Sequence, residues 1–475
     1  MSRHYSRRDF IATAAASASV LAWPPALRAF QRSEVPDPWT QAEAIVKGIT
    51  VPRFPSRDLE ITRFGAVGDG VTSCTEAIRK AIAACRAAGG GRVIVPKGRF
   101  LTGAVRLESN VNLHVAAGGT LAFSSDPRDY LPLVLTRWEG VELMNYSPFI
   151  YAFEATNIAI TGPGTLDGQA SPDRWWNWRG AGAARGAAQS QLPGRTRLIE
   201  MQARGVPVAE RVFGEGYFLR PNFIQPYRSR NVLIDGVTIV NSPMWELHPV
   251  LCQSVTIRNV TINSHGPNND GCDPESCRDV LIERCSFDTG DDCIALKSGR
   301  NDDGRRLHTA VENIVIRDCT MKDGHGGVVI GSEISGGARN IFAERCQMDS
   351  PRLDRVLRLK TNSVRGGVIE NVYMRDVTVG QVAEAVVTID FFYEEGDAGK
   401  YPPTVRNIEV RKVTSKKSQY AFLLRGYPHA PITGVRVVNC RFDGVEKADV
   451  LESVKDLELT NVSINGRLTT TRITR

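Results

Sequence analysis

Four short polar signatures lie between residues 268 and 360: Asn268-Asn269-Asp270, Asp291-Asp292, Gly324-His325-Gly326 and Arg358-Leu359-Lys360. Brought together, Asp270, Asp291 and Asp292 would form a cluster in which like-charge repulsion lifts one carboxyl and lets it hold a proton near neutral pH, as a general acid must. Gly290, directly before the acid pair, permits a bend that turns both carboxylates to one face, where strict strand alternation would show only one. His325 sits among Gly324, Gly326 and Gly327, on backbone that a ligand can approach closely. Arg358 and Lys360 share one strand face, with Leu357 and Leu359 on the other. They suit ordinary ion pairs, and they also suit a substrate carboxylate, which arginine binds bidentately and lysine as a point charge. Singly, each Asp or Asn is a common turn residue. As a set they describe acid/base hydrolysis of an acidic sugar.

A repeat must position them. The segments at Asn231–Val237, Ser254–Val260, Asp279–Cys285, Asn313–Cys319, Asn340–Cys346, Asn371–Val377, Asn407–Val413, Gly434–Cys440 and Asp456–Val462 are one seven-residue unit, with starts 22 to 36 residues apart. Apolar and polar positions alternate within it at the period of a strand, and no helical pattern lies between units. Repeats of this kind stack into a solenoid of parallel β coils, where equivalent residues in successive coils are spatial neighbours about 4.8 Å apart. Asp270, Asp291 with Asp292, and His325 each follow a successive unit, so the solenoid should gather them. The seventh position is always Val or Cys. Cys285, Cys319, Cys346 and Cys440 are therefore read as core fillers stacked on valines.

Before the regular coils, Cys74 to Cys85 is an amphipathic helix ended by Gly89-Gly90-Gly91, suited to cap an open sheet end. Residues 171–230 interrupt the repeat with Trp175-Trp176-Asn177-Trp178 and Arg220-Pro221-Asn222-Phe223, an insertion expected to shape a cleft. Residues 30–58 read as a lead-in strap, and 59–475 as the solenoid domain. Residues 1–29 carry Arg7-Arg8 before a short apolar stretch and resemble a twin-arginine export signal, implying a periplasmic or secreted protein.

Composition excludes several classes. There is no apolar run long enough for a membrane span, so no membrane association is expected of the mature form. Removal of residues 1–29 takes away four arginines and Asp9 and lowers the formal charge from +7 to +4. The remaining basic residues are dispersed, which argues against nucleic acid as a partner. Folding before export, in a reducing compartment, predicts thiols for most of the ten cysteines, while the spacing of Cys272 and Cys277 leaves a disulfide between them open.

The four signatures, in order and approximate spacing, resemble those of the polygalacturonases, family 28 of the glycoside hydrolases. The likeness covers roughly residues 60 to 465, including Phe64-Gly65-Ala66-Val67-Gly68-Asp69-Gly70. The resemblance implies an all-β fold, a right-handed parallel β-helix, and inverting hydrolysis of α-1,4 bonds between galacturonic acid units with neither metal nor other cofactor. It matches Asp291 to the general acid, Asp270 and Asp292 to the carboxylates that activate water, and His325 to a histidine that maintains the acid's protonation. Arg358, Lys360, Asn268 and Tyr393 match substrate-binding positions. Gly290, where the family often has glutamine, and the phrase at Arg220 are more like exo-acting or branched-pectin members. Asn269 also departs from the family's usual threonine.

The reading is thus an exo-acting hydrolase of galacturonan chains or oligomers, working as a monomer, with the insertion walling off one end of its groove. Alternatives are a hydrolase of xylogalacturonan or rhamnogalacturonan, a pectate lyase needing calcium, and a non-catalytic β-helix that binds polysaccharide. Carboxyl spacing from coil geometry alone leaves the stereochemistry open.

Overall fold

A computed structural model describes residues 37–180 and 189–473 of the 475. The leader over 1–29 and the first part of the strap lie outside the described residues. One compact unit begins at Pro38 and holds the whole solenoid.

Short strands stack in three parallel ladders. The first begins at Asp58–Glu60 and includes Arg230–Asp235, Gln253–Arg258, Arg278–Glu283, Val311–Arg317 and Ala338–Glu344 before ending at Val454–Ile464. The second begins at Asp69–Ser73 and includes Thr238–Val240, Thr261–Ser264 and Ser286–Thr289. The third holds Val105–Arg106, Ile150–Phe153 and Ile224–Tyr227, then bridges at Leu247, Val250, Cys272 and Glu275. It continues through Ile294–Leu296, Val328–Ile330, Arg355–Lys360, Ala385–Asp390 and Tyr420–Arg425 to Val450–Glu452. The fold is a parallel β-helix, as the repeat requires.

The unit's composition follows from its two bends. Its first residue is left-handed, as at Asn231 (φ 54°), Asn313 (58°), Asn340 (58°) and Asn371 (57°), and so is its sixth, as at Asn259 (55°) and Asp318 (56°). Asn and Asp tolerate that region better than other non-glycine residues. The first-position side chains also bond from coil to coil, Asn313 donating to Asp279 at 2.9 Å, Asn340 to Asn313 at 3.0 Å and Asn371 to Asn340 at 3.1 Å. The seventh position turns inward, and Val237, Cys285, Cys319, Cys346 and Val413 are all buried in one continuous core. All ten cysteines are free and buried, so Cys272 and Cys277 are not joined.

Both ends are covered. Helix α2 (Thr75–Ala87) buries Ala77, Ile78, Ala81, Ile82 and Cys85 against the first coils and stops before Gly89 and Gly90, whose φ values are 87° and 102°. At the other end, Arg467–Ile473 pairs antiparallel with Val454–Ile464 and closes the sheet edge.

The helical content exceeds the sequence expectation. The strap contains α1 (Pro38–Gly48), which seats Trp39 and Ala42 on Leu281, Val315, Phe342 and Tyr373 along the outside of the first ladder. Two further helices, α3 (Leu192–Ala203) and α4 (Asn301–Leu307), are too short and too polar to show a 3.6-residue period. The insertion is also shorter than 171–230, because Ile224–Tyr227 pairs in register with Ile150–Phe153. Pro226 within that strand hid it from pattern reading.

A hairpin, Val134–Trp138 with Val141–Asn145, packs with α3 through Trp138, Leu143, Leu198, Phe213, Leu219 and Trp245. It is pinned to the third ladder by Arg137, which pairs with Glu275 at 3.1 Å, both side chains fully buried. His248 bonds the same carboxylate through Nε2 at 2.8 Å and meets Asn222 and Gln225 through Nδ1. A buried pair of this kind is expensive to break from one side. The hairpin therefore forms a fixed cover over the early part of that ladder's outer face.

Candidate active site

Register places the acids. Cys272 bridges Ile294, Ile294 pairs with Val328, and Val328 with Leu357. Asp270 and Asp292 each sit two residues before such a point, one coil apart, and carboxylate oxygens of Asp270, Asp291 and Asp292 all lie within 4.8 Å of one another. Asn268, Asp270, Asp291, His325, Arg358, Lys360 and Tyr393 line one cavity of about 370 Å³, with Asp292 fully buried beneath it. All eight residues singled out from sequence thus converge.

Gly290 stands in a bend that follows the strand Ser286–Thr289, without a left-handed φ, and it also permits close approach: a Cβ there would strike the Gly266 carbonyl and lie 2.7 Å from the His265 carbonyl carbon. Two of the glycines around His325 also serve coil stacking. A Cβ at Gly324 would lie 2.6 Å from the Asp291 carbonyl oxygen, and one at Gly327 would lie 2.6 Å from Met348 Sδ. Asn269 is structural too, accepting from Ser264 Oγ at 2.7 Å and Gly266 N–H at 2.8 Å while donating to the Ser242 carbonyl at 3.1 Å.

The three carboxylates have different partners. Asp292 accepts from Lys360 Nζ at 2.6 Å and faces Arg358 Nη1 at 3.4 Å, so both cations already serve an acid. The Tyr393 ring lies under both, 5.6 Å from Arg358 Cζ and 5.2 Å from Lys360 Nζ. Asp291 meets His325 Nδ1 at 3.0 Å. Burial would raise the Asp291 carboxyl, but the His325 bond and charge, with Lys360 and Lys297 nearby, hold it well below the usual range. The same bond pushes His325 up to about 9. Asp270 moves the other way, pushed well up by burial and then by repulsion from Asp291 and Asp273. The carboxyl lifted by burial and repulsion is therefore Asp270, while Asp291, the residue matched to the general acid, is paired with His325.

The acid trio has the donor set of a cation site, as does the group His265, Asp288 and Asp323. Asp292 is taken up by Lys360 and Arg358, and Asp323 by Ser350 and Arg352 at 2.6 and 2.5 Å. Both groups are compensated by protein cations.

The sequence from 217 to 464 matches the family described as "Glycosyl hydrolases family 28". The chain belongs to that family. It is 44% identical to a hyperthermoactive exopolygalacturonase of known structure from Thermotoga maritima, with a TM-score of 0.89 over 92% of this chain and 98% of that one. It is also 28% identical to a probable polygalacturonase of Vitis vinifera over 81% of this chain and 74% of the relative. An exo-poly-alpha-D-galacturonosidase of Dickeya chrysanthemi is 26% identical over 86% of this chain and 71% of its own length.

This family-28 site contains more than its signatures. Lys297 is fully buried and faces Asp270, Asp273 and Glu333 at 3.6, 3.4 and 3.3 Å, with its ammonium 4.3 Å from the Trp245 ring centre. It belongs to the same row as Lys360, because Leu296 pairs with Ile330 and Ile330 with Leu359. Aligning Ala295-Leu296-Lys297 with Arg358-Leu359-Lys360 would have found it. The wall residues had no such signal: Glu139 from the hairpin, and Arg179, Gln191, Leu192 and Arg195 from the insertion, line the same cavity. Arg195 and Arg300 both hold Glu139, at 2.7 and 3.1 Å.

Proposed function

We propose that this protein hydrolyses α-1,4-galacturonosidic bonds of polygalacturonate or its oligomers, removing units from a chain end. The observation that carries the exo mode is the wall. Glu139 and the insertion residues share one cavity with Asp270 and Asp291. That cavity is near the lower end of the ~300–1,000 Å³ range of small-molecule sites. An open groove for a long chain would leave this side free.

In this reading Asp291 delivers a proton to the leaving oxygen and is recharged from His325 through their 3.0 Å hydrogen bond. Asp292, fixed between Lys360 and Arg358, is an acceptor prepared to activate water. Asp270 stands beside it for the same step. Arg358 and Lys360 keep N–H groups beyond those facing Asp292, and with Tyr393 and Asn268 they hold the substrate. The acid oxygens approach within 4.8 Å, closer than the ~6.5–9.5 Å typical of inverting pairs. Inversion is thus a property to measure by NMR on the first-formed anomer.

The deciding experiment is the product profile on unbranched polygalacturonate at early times. Monomer or dimer alone is expected. A ladder of mixed oligomers would overturn the exo mode, and unsaturated, ultraviolet-absorbing ends lost with a chelator would identify a lyase instead. Xylose-decorated and rhamnose-containing pectins, assayed in parallel, rank the backbone. Export through the leader at 1–29 belongs to the same proposal and is tested by fractionating cells with and without Arg7-Arg8.

A further inference from the structure

Every charged side chain lining the cavity has an ionic partner among the described residues, with one exception. Arg195, Lys297, Arg300, Arg358, Lys360 and His325 each face a carboxylate within 4.0 Å. Arg179 faces none and makes no side-chain hydrogen bond among the described residues, and the neighbouring stretch 181–188 contains no Asp or Glu.

Its placement is not that of a loose surface arginine. Arg179 ends a single 3₁₀ turn, Trp176–Arg179, and each tryptophan around it is anchored. Trp175 is buried against Tyr130 and Phe149, with ring centres 5.6 and 5.8 Å away. Trp176 donates its indole N–H to the Ser242 carbonyl at 2.8 Å and lies against Gly266, where a Cβ would collide with it. Trp178 packs edge-on to Trp175 at 4.8 Å and to Phe218 at 5.3 Å. Rigid aromatic anchoring lowers the ordering cost of a contact made by the residue they carry.

A second cation stands behind it. Arg220 is fully buried, yet all its bonds go to neutral acceptors: Gln191 Oε1 at 3.0 Å, the Pro243 and Pro267 carbonyls at 2.8 and 2.7 Å, and Asn268 Oδ1 at 2.7 Å. Burial, and after it the charge of Arg179, push Arg220 down to about 9, still cationic at neutral pH. These two neighbouring guanidiniums have no carboxylate within 4.0 Å among the described residues, and the acids that act on Arg220, Glu139, Asp270 and Asp291, are more distant.

We propose that Arg179 binds the carboxylate of the galacturonate enclosed by the wall, forming a second carboxylate site separated from Arg358 and Lys360 by the catalytic acids. Arg220 positions Asn268 and adds to the positive potential of that side. This inference rests on the polygalacturonase reading and adds where a sugar's charge is read.

The test compares wild type, Arg179→Gln and Arg179→Lys on trigalacturonate and on the two trimers methyl-esterified at one terminal sugar or the other. Wild type must cleave trigalacturonate, and if it does not, the parent reading fails on its own. Arg179→Gln is expected to lose about 10–100-fold in kcat/KM, mostly as KM, on the parent trimer and on one mono-ester. On the other mono-ester, whose charge at this site is already gone, it should match wild type. Arg179→Lys should recover part of the loss, with thermal melting unchanged in both variants. Equal losses on all three substrates, or none on any, would overturn the proposal.

Discussion

The cavity has two sides that hold their side chains by different means. On the coil side, Asp270, Asp292, Lys297, Arg358 and Lys360 occupy rows of the third ladder, so backbone register sets their spacing. On the wall side, Arg179 ends a 3₁₀ turn held by indoles, and Arg195 lies on α3, which packs on the hairpin and pairs with Glu139 and Glu394. The coil side reuses an address that any successive coil can fill, whereas the wall is assembled contact by contact. Chemistry placed by register should survive changes in the wall, and the mode of attack should not.

Asp291→Asn tests the coil side most severely. General acid catalysis contributes about 10²–10⁴-fold, so turnover should fall by that much or more while KM and the melting temperature stay close to wild type. Retained turnover would remove Asp291 from the reaction.

Lys297→Met strikes where the coil side is most tightly balanced. The lysine faces Asp270, Asp273 and Glu333 from a side chain only 2% exposed. Removing one partner of a buried charge cluster costs about 3–5 kcal/mol, which chemical denaturation would read. Because its ammonium also lowers Asp270, the variant should need a higher pH for half-maximal activity. An unchanged stability would mean that water already compensates this cluster.

Trp178→Ala addresses the wall. Loss of the contacts to Trp175 and Phe218 frees the turn that ends at Arg179. Products from polygalacturonate should shift toward longer oligomers, with the acid limb of the pH profile unchanged. If the profile remains monomer or dimer, the wall does not set the mode.

The same contrast explains what the sequence made legible. The strand period, the Val or Cys at each seventh position and the Asn common at the first position all report one local environment repeated many times, so nine units identify the solenoid. Asp270, Asp291, Asp292 and His325 could be gathered because each follows a unit. Lys297 was legible in principle by aligning its strand with that of Lys360, two coils on. The bend at Gly290 is legible locally, whereas its close approach to the Gly266 carbonyl of the coil before has no local signature. Arg179, Arg195, Glu139 and Arg220 leave no period at all: they meet the site through tertiary packing of tryptophans and a hairpin whose packing partners are far apart in sequence.

His325 offers the finest distinction, because it lines the cavity with 53% of its side chain exposed while bonded to Asp291. Asp291 raises it to about 9, so it is cationic below that pH and loses its proton above it. If Asp291 is recharged from the imidazolium, kcat/KM should hold steady up to about pH 9 and then fall with proton concentration. His325→Gln keeps a hydrogen-bond donor but not the proton supply. Its plateau should be lower than wild type by less than the Asp291→Asn loss, and the alkaline limb should vanish. A limb that persists near pH 9 in the variant would transfer the titration to another group and leave His325 as a positioning residue for Asp291.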